Sequence, residues 1–176
     1  PKDVKKYLTE FLTDGRVIDI PKIQRNLLVR GLIVPRRYKE SAKLYQSIWS
    51  KSGSPLLANS QKLSQEVQAM LGDDFHVKLA MRYQIPSIDQ GLYSLKSCDK
   101  ITILPLFPQF ASATTGSVFQ KVFECMSKWQ THPELRMISS FYDHPAFIQS
   151  HVERASEYDL KDYDHVLFSY HGLPQR

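Results

Sequence analysis

The segment that most constrains the fold is a short, almost entirely apolar run at residues 101–106. A run of this kind is typical of an interior strand of a parallel sheet, because such a strand is buried on both faces. Helical and strand-like patterns alternate along the rest of the chain, which favours an α/β architecture. The sequence therefore predicts three layers: a mainly parallel sheet with helices on both faces.

Three further segments are predicted to be strands, at residues 75–82, 136–141 and 164–170. The first twelve residues instead show the apolar spacing of an amphipathic helix, and no strand pattern precedes them. In a doubly wound sheet the first strand is usually central. We therefore expect a chain that is incomplete at both ends, an expectation that the absence of an initial Met also favours.

Three boundaries, two of them helix starts, are predicted from local signals. Ser54 followed by Pro55 is a hydroxyl cap with proline in the first turn, which predicts the start of a helix. The segment Asp143-His144-Pro145 is predicted to open another helix. Pro35 is predicted to end the apolar and basic stretch that begins at Pro21.

Composition and charge restrict the class of protein. The 176 residues suffice for one domain with a substantial core, and no apolar run is long enough for a transmembrane helix. The net charge is +5, with basic residues concentrated between Lys22 and Lys51. Such a concentration could serve nucleic acid, an anionic membrane surface or an acidic small molecule, although a solvated basic face is the plain alternative. No nucleic-acid-binding motif accompanies it.

The cysteines and histidines do not have the spacing of a closed metal site. Cys98 and Cys125 form no C-x-x-C pair and are expected to be reduced core thiols of a cytosolic protein. The six histidines are scattered, so a closed zinc site is not expected.

Polar and aromatic groups follow the predicted strands at residues 82–86, 107–117 and 170–174. The carboxyl ends of the strands meet at one edge of an open α/β sheet, where such folds bind their ligands. These segments carry aromatic rings, hydroxyl groups, Arg82 and His171, and an imidazole can accept a proton or bind a metal near neutral pH. They predict a pocket for a flat, apolar ligand that carries acidic groups at its edge.

Each of these features also has a structural explanation. The Ser/Thr run at residues 112–117 can simply cap the helix that follows, and it lacks the glycines and lysine of a phosphate-binding loop. Arg82 can pair with a neighbouring carboxylate. His171 can be a structural group. The pattern alone leaves these alternatives open.

Four ordered motifs resemble those of the ferrochelatases, lyases that insert ferrous iron into a porphyrin. They are residues 168–176 (FSYHGLPQR), 104–110 (LPLFPQF) followed by the Ser/Thr run, 53–56 (GSPL), and 81–83 (MRY) with Pro86 and Ser87. A fifth segment, residues 44–49 (LYQSIW), resembles the bacterial members. Together the motifs extend over nearly the whole chain.

The resemblance implies an architecture of two similar α/β halves that enclose a porphyrin cleft. Residues 1–176 would be the N-terminal half without its opening strand, and the C-terminal half, with a Glu opposite His171, would be absent. The implied function is the insertion of ferrous iron into protoporphyrin IX or coproporphyrin III in haem biosynthesis. The fragment alone is then expected to be inactive.

The resemblance also implies roles for individual residues. His171 would be the catalytic residue and would either take pyrrole protons or receive the metal, a choice that the sequence does not decide. The implied substrate-binding residues are Ser54, Arg82, Tyr83, Gln109, Phe110, Ser112 and Thr115. Phe110 stands where some relatives have Tyr, so a hydroxyl contact is expected to be missing there.

The implied partners are the porphyrin and ferrous iron, and no nucleic acid. Ferrous iron would be a substrate, no permanently bound cofactor is implied, and an iron–sulfur cluster is left open. The stretch from Ile23 to Tyr38 resembles the lip of the porphyrin mouth, which touches a membrane in some relatives. A cytoplasmic protein with peripheral membrane contact is therefore the expected setting.

Two alternatives to this function remain open from the sequence. The first is a chelatase for another tetrapyrrole or another metal. The second is a porphyrin-binding module without catalytic activity.

Overall fold

The computed structural model describes residues 2–51, 53–169 and 171–172. The chain forms two compact units, Pro1–Ser140 and Phe141–Arg176. The α-helices in the described ranges are α1 (Lys2–Leu12), α2 (Lys22–Leu28), α3 (Val34–Ser47), α4 (Pro55–Leu71), α5 (Ile88–Ser94), α6 (Ser117–Met126) and α7 (Pro145–Ala155). They are joined by the strands β1 (Lys100–Ile103) and β2 (Glu134–Met137), the π-helical segments Val29–Ile33 and Ser112–Gly116, and the 3-10 turn Leu160–Asp162.

A parallel strand pair with a helical crossover organises the first unit. β1 and β2 are parallel, with Lys100 opposite Glu134 and Ile103 opposite Met137. The connection between them contains α6, as expected for a βαβ unit. This arrangement confirms the predicted α/β class and the parallel direction of the strands. The strands end at Ile103 and Met137, before the predicted ends at residues 106 and 141.

The hydrophobic core of this unit lies between α5, β1 and α6. Its buried members are Ile88, Leu92, Ile101, Val122, Cys125 and Met126. The three members from α6 follow helical spacing, which places them on the same face of that helix. Cys125 is a free, buried thiol, whereas the free thiol of Cys98 is half-buried.

An aromatic cluster joins α1 to α3 and to the loop that precedes α5. The ring of Tyr7 lies 5.8 Å from Phe11, 6.1 Å from Tyr45 on α3 and 6.1 Å from Tyr83. Phe11 also contacts Tyr83, at 5.5 Å between ring centroids. Edge-to-face and stacked pairs at these distances are favourable beyond the area they bury. The cluster therefore fixes the end of α1 against the loop at residues 82–87.

The prediction that Pro35 ends the stretch that begins at Pro21 is wrong. Helical structure runs from α2 through the π-helical segment Val29–Ile33 into α3, and Pro35 lies in the first turn of α3. The Val34 amide donates to the Val29 carbonyl, five residues back, so the hydrogen-bond register shifts immediately before the proline. Proline has no amide hydrogen to donate. In the first turn after a register shift that amide has no acceptor within the helix, so Pro35 is tolerated there.

The predicted strand at residues 75–82 is not formed. The side chain of Gln68 bonds this backbone instead: its Nε2 donates to the Phe75 carbonyl at 2.8 Å, and its Oε1 accepts from the Val77 amide at 2.7 Å. A single parallel bridge joins Met81 to Ser87. An alternating sequence predicts a strand, but a neighbouring strand must bond to its backbone, and none does so among the described residues.

The second unit contains α7, and its predicted start is confirmed. The His144 side chain caps α7 by accepting from the Ala146 amide, and Pro145 follows it. The predicted strand at residues 164–170 is not formed over residues 164–169, and Tyr170 lies outside the described residues. Leu167 and Phe168 are 90% and 75% exposed, so this apolar sequence lacks the packing that an interior strand requires.

None of the helices in the described ranges has both the length and the hydrophobicity needed to cross a bilayer.

Truncation of Leu92 tests the position of the core. Leu92 is 3% exposed and packs among the residues of α5, β1 and α6. Leu92→Ala in the full-length protein should lower the free energy of unfolding by about 2–5 kcal/mol. The control Leu92→Met keeps the side-chain volume and should lose less than about 1.5 kcal/mol. Equal losses in denaturant unfolding would contradict this core.

Candidate functional site

The buried carboxylate of Asp14 lies at the centre of the candidate site. Asp14 is 8% exposed, and its Oδ2 accepts from Arg82 Nη2 at 2.6 Å and from the Tyr83 hydroxyl at 2.9 Å. The Ser117 hydroxyl donates to the same oxygen. The Arg16 backbone amide donates to Oδ1 at 2.9 Å. The carboxylate therefore joins the end of α1 to two distant segments of the chain.

The turn after α1 brings Asp14 into this position. The helix ends at Leu12, and the Asp14 carbonyl then accepts from the amides of Val17 at 3.2 Å and Ile18 at 3.0 Å. The turn is short because each of these bonds closes within four residues. It leaves the Asp14 side chain beside the start of α6.

The guanidinium of Arg25 stabilises this turn. It donates to the carbonyls of Thr13 at 2.8 Å, Ile18 at 3.1 Å and Ile20 at 2.7 Å. A Cβ at Gly15 would lie 3.2 Å from the Arg25 guanidinium nitrogens, so glycine permits this close approach. Arg25 therefore satisfies backbone carbonyls that no helix or sheet bonds.

The loop that carries Arg82 and Tyr83 is tied to α1 as well. Gln84 has a left-handed backbone with φ of 64°, which non-glycine residues adopt only when the surroundings hold them there. Its amide donates to Glu10 Oε2 at 2.8 Å, and its side-chain Nε2 donates to the Asp3 carbonyl at 2.7 Å. Both bonds hold Gln84, the residue with positive φ, against α1.

Two guanidinium nitrogens of Arg82, Nε and Nη2, are hydrogen-bonded within this network. Its Nε donates to the Ser117 carbonyl at 3.0 Å and to the Ser117 hydroxyl at 2.6 Å, while Nη2 is bonded to Asp14. The guanidinium carbon also lies 4.6 Å from the centroid of the Tyr83 ring. The pairing of Arg82 with a carboxylate, one of the alternatives left open by the sequence, is thus observed.

The Ser/Thr run forms the π-helical segment Ser112–Gly116, which leads directly into α6. Ser117 and Thr115 are fully buried, and the Thr115 hydroxyl oxygen lacks a hydrogen-bond partner in the described part of the chain. The Arg16 side chain lies against this segment, with Nη1 3.2 Å from the Ser112 hydroxyl and Nε 2.7 Å from Gln120 Oε1.

The environment shifts the pKa values of the groups in this network. Burial raises the pKa of Asp14, but hydrogen bonds from Ser117, Arg16 and Tyr83 and the charge of Arg82 outweigh it, so the net pKa is lowered. Burial, together with the charge of Asp14 and opposed by the Ser117 hydroxyl, raises the pKa of Tyr83 to about 12. Near neutral pH Asp14 is therefore ionised and Tyr83 retains the proton that it donates.

An open cleft of about 580 Å³ lies beside the network. Its lining is mostly polar and comprises Glu10, Thr13, Asp14, Gly15, Lys22, Arg25, Arg82, Tyr83, Gln84, Ser87, Ile88, Gln120, Lys121 and Glu124. Within the described ranges, no group of three His, Cys, Asp or Glu side chains is arranged to hold a metal ion.

The structure brings three of the predicted site residues into one hydrogen-bonded network and places a fourth, Thr115, next to it. Arg82 and Tyr83 bond Asp14 directly, Ser112 is joined through Arg16, and Thr115 is buried in the same π-helical segment.

The other predicted residues lie apart from this network. Ser54 caps α4, because its hydroxyl accepts from the Leu57 amide at 3.4 Å. Gln109 and Phe110 are exposed in the loop after β1. His171 is exposed and lies in the second unit, outside regular secondary structure.

Sequence reasoning missed Asp14, Arg16, Ser117 and Gln120 as members of the site. Asp14 stands next to Gly15 where α1 stops, a position at which a polar residue is ordinary. The available signal was the combination of an acidic residue at that stop with an arginine next to an aromatic residue at positions 82 and 83, but the partners are 68 and 69 residues away.

A family model described as ferrochelatase matches residues 1–176, the full length of the chain. The chain belongs to the ferrochelatase family. The resemblance seen in the four motifs is thereby confirmed. The Asp14 network therefore occurs in a member of this family.

Bacterial ferrochelatases are similar over nearly the whole chain. That of Legionella pneumophila strain Corby is 49% identical over 173 residues, which are 98% of this chain and 52% of that protein. That of Edwardsiella ictaluri is 43% identical over 180 aligned residues, 100% of this chain and 56% of that protein. That of Coxiella burnetii strain Dugway 5J108-111 is 43% identical, over 98% of this chain and 49% of that protein. The chain thus spans about half the length of these curated relatives.

The lowered pKa of Asp14 predicts an acid-sensitive stability. A carboxyl group whose pKa is lower in the folded state stabilises the fold above its unfolded pKa, and this contribution is lost as the pH falls through the folded value. The free energy of unfolding of the full-length protein should therefore fall below about pH 4. In Asp14→Asn this part of the decline should be absent.

The matched control is Asp73→Asn, which removes an exposed carboxylate from the turn after α4. It should keep the wild-type pH dependence of unfolding. A wild-type profile in Asp14→Asn as well would contradict the assignment of the shift to Asp14.

Proposed function

We propose that this chain is part of an enzyme that inserts ferrous iron into a porphyrin in haem biosynthesis, with protoporphyrin IX or coproporphyrin III as the substrate. The match of the ferrochelatase family model to every residue of the chain supports this proposal. The similar bacterial proteins are also named ferrochelatases. The Asp14 network supports it further, because it contains three residues of the implied substrate site, Arg82, Tyr83 and Ser112.

In this proposal His171 performs the proton chemistry. Metal insertion removes two protons from pyrrole nitrogens, which are weak acids, and a neutral imidazole is a suitable acceptor. His171 is exposed, so its ring nitrogens are accessible to a ligand. The carboxylate that the resemblance places opposite this imidazole belongs to the other half of the protein, so residues 1–176 alone are proposed to be inactive.

The porphyrin would be held by the implied substrate-binding residues. Tyr83 and Phe110 would contact the flat macrocycle, and Ser54, Arg82, Gln109 and Ser112 would contact its polar edge. Thr115 is fully buried and would act only by shaping the segment that carries Ser112. Ferrous iron enters as a substrate, and no permanently bound cofactor is proposed. Arg82 is positioned by Asp14 and Ser117, which favours a fixed direction for any contact that it makes.

The proposed membrane contact uses the lip at residues 23–38. Ile23 and Leu27 on α2 are 77% and 71% exposed, and the exposed arginines Arg30, Arg36 and Arg37 follow them along the helical stretch. Exposed apolar side chains with neighbouring positive charges are typical of helices that lie on anionic membranes. We therefore propose peripheral contact of a cytoplasmic protein through this lip.

Substitution of His171 tests the proposed activity. The full-length protein should insert ferrous iron or zinc into protoporphyrin or coproporphyrin, and His171→Ala should slow this reaction at least about 100-fold because the proton acceptor is lost. The control His151→Ala removes an exposed imidazole from α7 and should leave the rate unchanged. A rate near wild type in His171→Ala would contradict the role of His171.

The same assay separates the proposed function from its alternatives. A higher rate on sirohydrochlorin than on either porphyrin would indicate a chelatase for another tetrapyrrole. Porphyrin binding without metal insertion by the full-length protein would indicate a binding module.

A further inference from the structure

We infer that Arg16 binds a carboxylate group of the substrate at the π-helical segment Ser112–Gly116. This inference rests on the proposed function for the identity of the ligand, a porphyrin that carries carboxylate side chains. Arg16 belongs neither to the sequence motifs nor to the implied substrate-binding residues. Its place in the network and the nature of its partners point to this role.

The three arginines around Asp14 differ in what balances their charge. Arg82 is paired with the buried carboxylate of Asp14 at 2.6 Å. Arg25 is bonded to three backbone carbonyls. The guanidinium of Arg16 bonds only neutral side chains, Ser112 and Gln120, in the described part of the chain. Arg16 is therefore the arginine of this network whose positive charge remains available to an anion.

Two carboxylates of this region, those of Glu124 and Asp14, pair with cations other than Arg16. Glu124 accepts a hydrogen bond from Gln120 Nε2 at 2.8 Å, and its other oxygen lies 4.0 Å from Lys121 Nζ. The Asp14 carboxylate contacts Arg16 only through the backbone amide. Asp14 and Glu124 thus have other cations as partners.

The guanidinium of Arg16 is held in one place although the residue is exposed. Nε is 2.7 Å from Gln120 Oε1, and Nη1 is 3.2 Å from the Ser112 hydroxyl. A Cβ at Gly116 would lie 3.1 Å from Nη1, so glycine lets the guanidinium rest against the backbone of the segment. The backbone bond to Asp14 fixes the base of the side chain. A positioned arginine loses less conformational entropy when it binds an anion.

Arg16 and Ser112 each retain a hydrogen-bond donor that suits a carboxylate ligand. Nη2 of Arg16 has no hydrogen bond within the described ranges. The Ser112 hydroxyl accepts from Arg16, so its own proton is free to donate. A guanidinium N–H and a neighbouring hydroxyl can bond the two oxygens of one carboxylate, and charge-assisted bonds of this type are the stronger ones. Ser112 and Thr115, both implied substrate-binding residues, lie in the same segment.

The experiment compares a free-acid porphyrin with its methyl ester in the full-length protein. Dissociation constants are measured by porphyrin fluorescence quenching, and KM and kcat by metal insertion.

Arg16→Gln should weaken binding of the acid about tenfold or more and raise its KM similarly, as expected for a lost charge-assisted hydrogen bond. Binding of the ester should change less than twofold, and kcat should stay near wild type. Arg16→Lys, which keeps the charge, should recover part of the affinity for the acid.

The control Arg154→Gln removes an exposed arginine of α7 that is paired with Glu157, and it should leave both ligands unaffected. Equal weakening of acid and ester by Arg16→Gln would show a merely structural role and would overturn the inference. Unchanged binding of the acid would overturn it as well.

Failure of the proposed function has a different signature. If the wild-type protein bound the acid through Arg16 but inserted no metal, the inference would stand and the proposed activity would fall. If the wild-type protein bound no porphyrin, both would be overturned.

Discussion

The buried charge of Asp14 is the constraint on which the rest of the site depends. A carboxylate taken out of water costs several kcal/mol unless hydrogen bonds and an opposite charge compensate it. Here the donors come from Arg82, Tyr83, Ser117 and the Arg16 amide, which belong to three separate parts of the chain. Because all of them must meet at one carboxylate, the end of α1, the loop before α5 and the start of α6 have fixed relative positions.

Three arginines stabilise or extend this arrangement in different ways. Arg25 satisfies the carbonyls of the turn that carries Asp14, and Arg82 balances the charge of the carboxylate. Arg16 remains with neutral partners and is directed along the Ser/Thr segment. The same residue type thus supports the backbone, compensates a buried charge and offers charge to a ligand, and the partners decide which role each arginine has.

The sequence predicted the parts of the fold that depend on local pattern. The apolar run at residue 101 and the segment at 136 form the parallel pair, although Ile101 is the one buried residue of the two strands. The strands at 75–82 and 164–170 were wrong over the described residues, since a strand also needs a bonded neighbour, which the pattern does not reveal. Asp14 was missed because its importance comes from partners 68 to 103 residues away. The pairing of Arg82 with a carboxylate, which the sequence left open, became visible only from its contacts.

The most direct test of the central position of Asp14 is a double-mutant cycle on the free energy of unfolding. The full-length protein is compared with Asp14→Asn, Arg82→Gln and the combined variant. Groups that interact directly give non-additive losses, and we expect a coupling energy of about 1–3 kcal/mol, with the second substitution costing little once the first is present. Losses that add within about 0.3 kcal/mol would contradict the account, because they would show that the two side chains stabilise the fold independently.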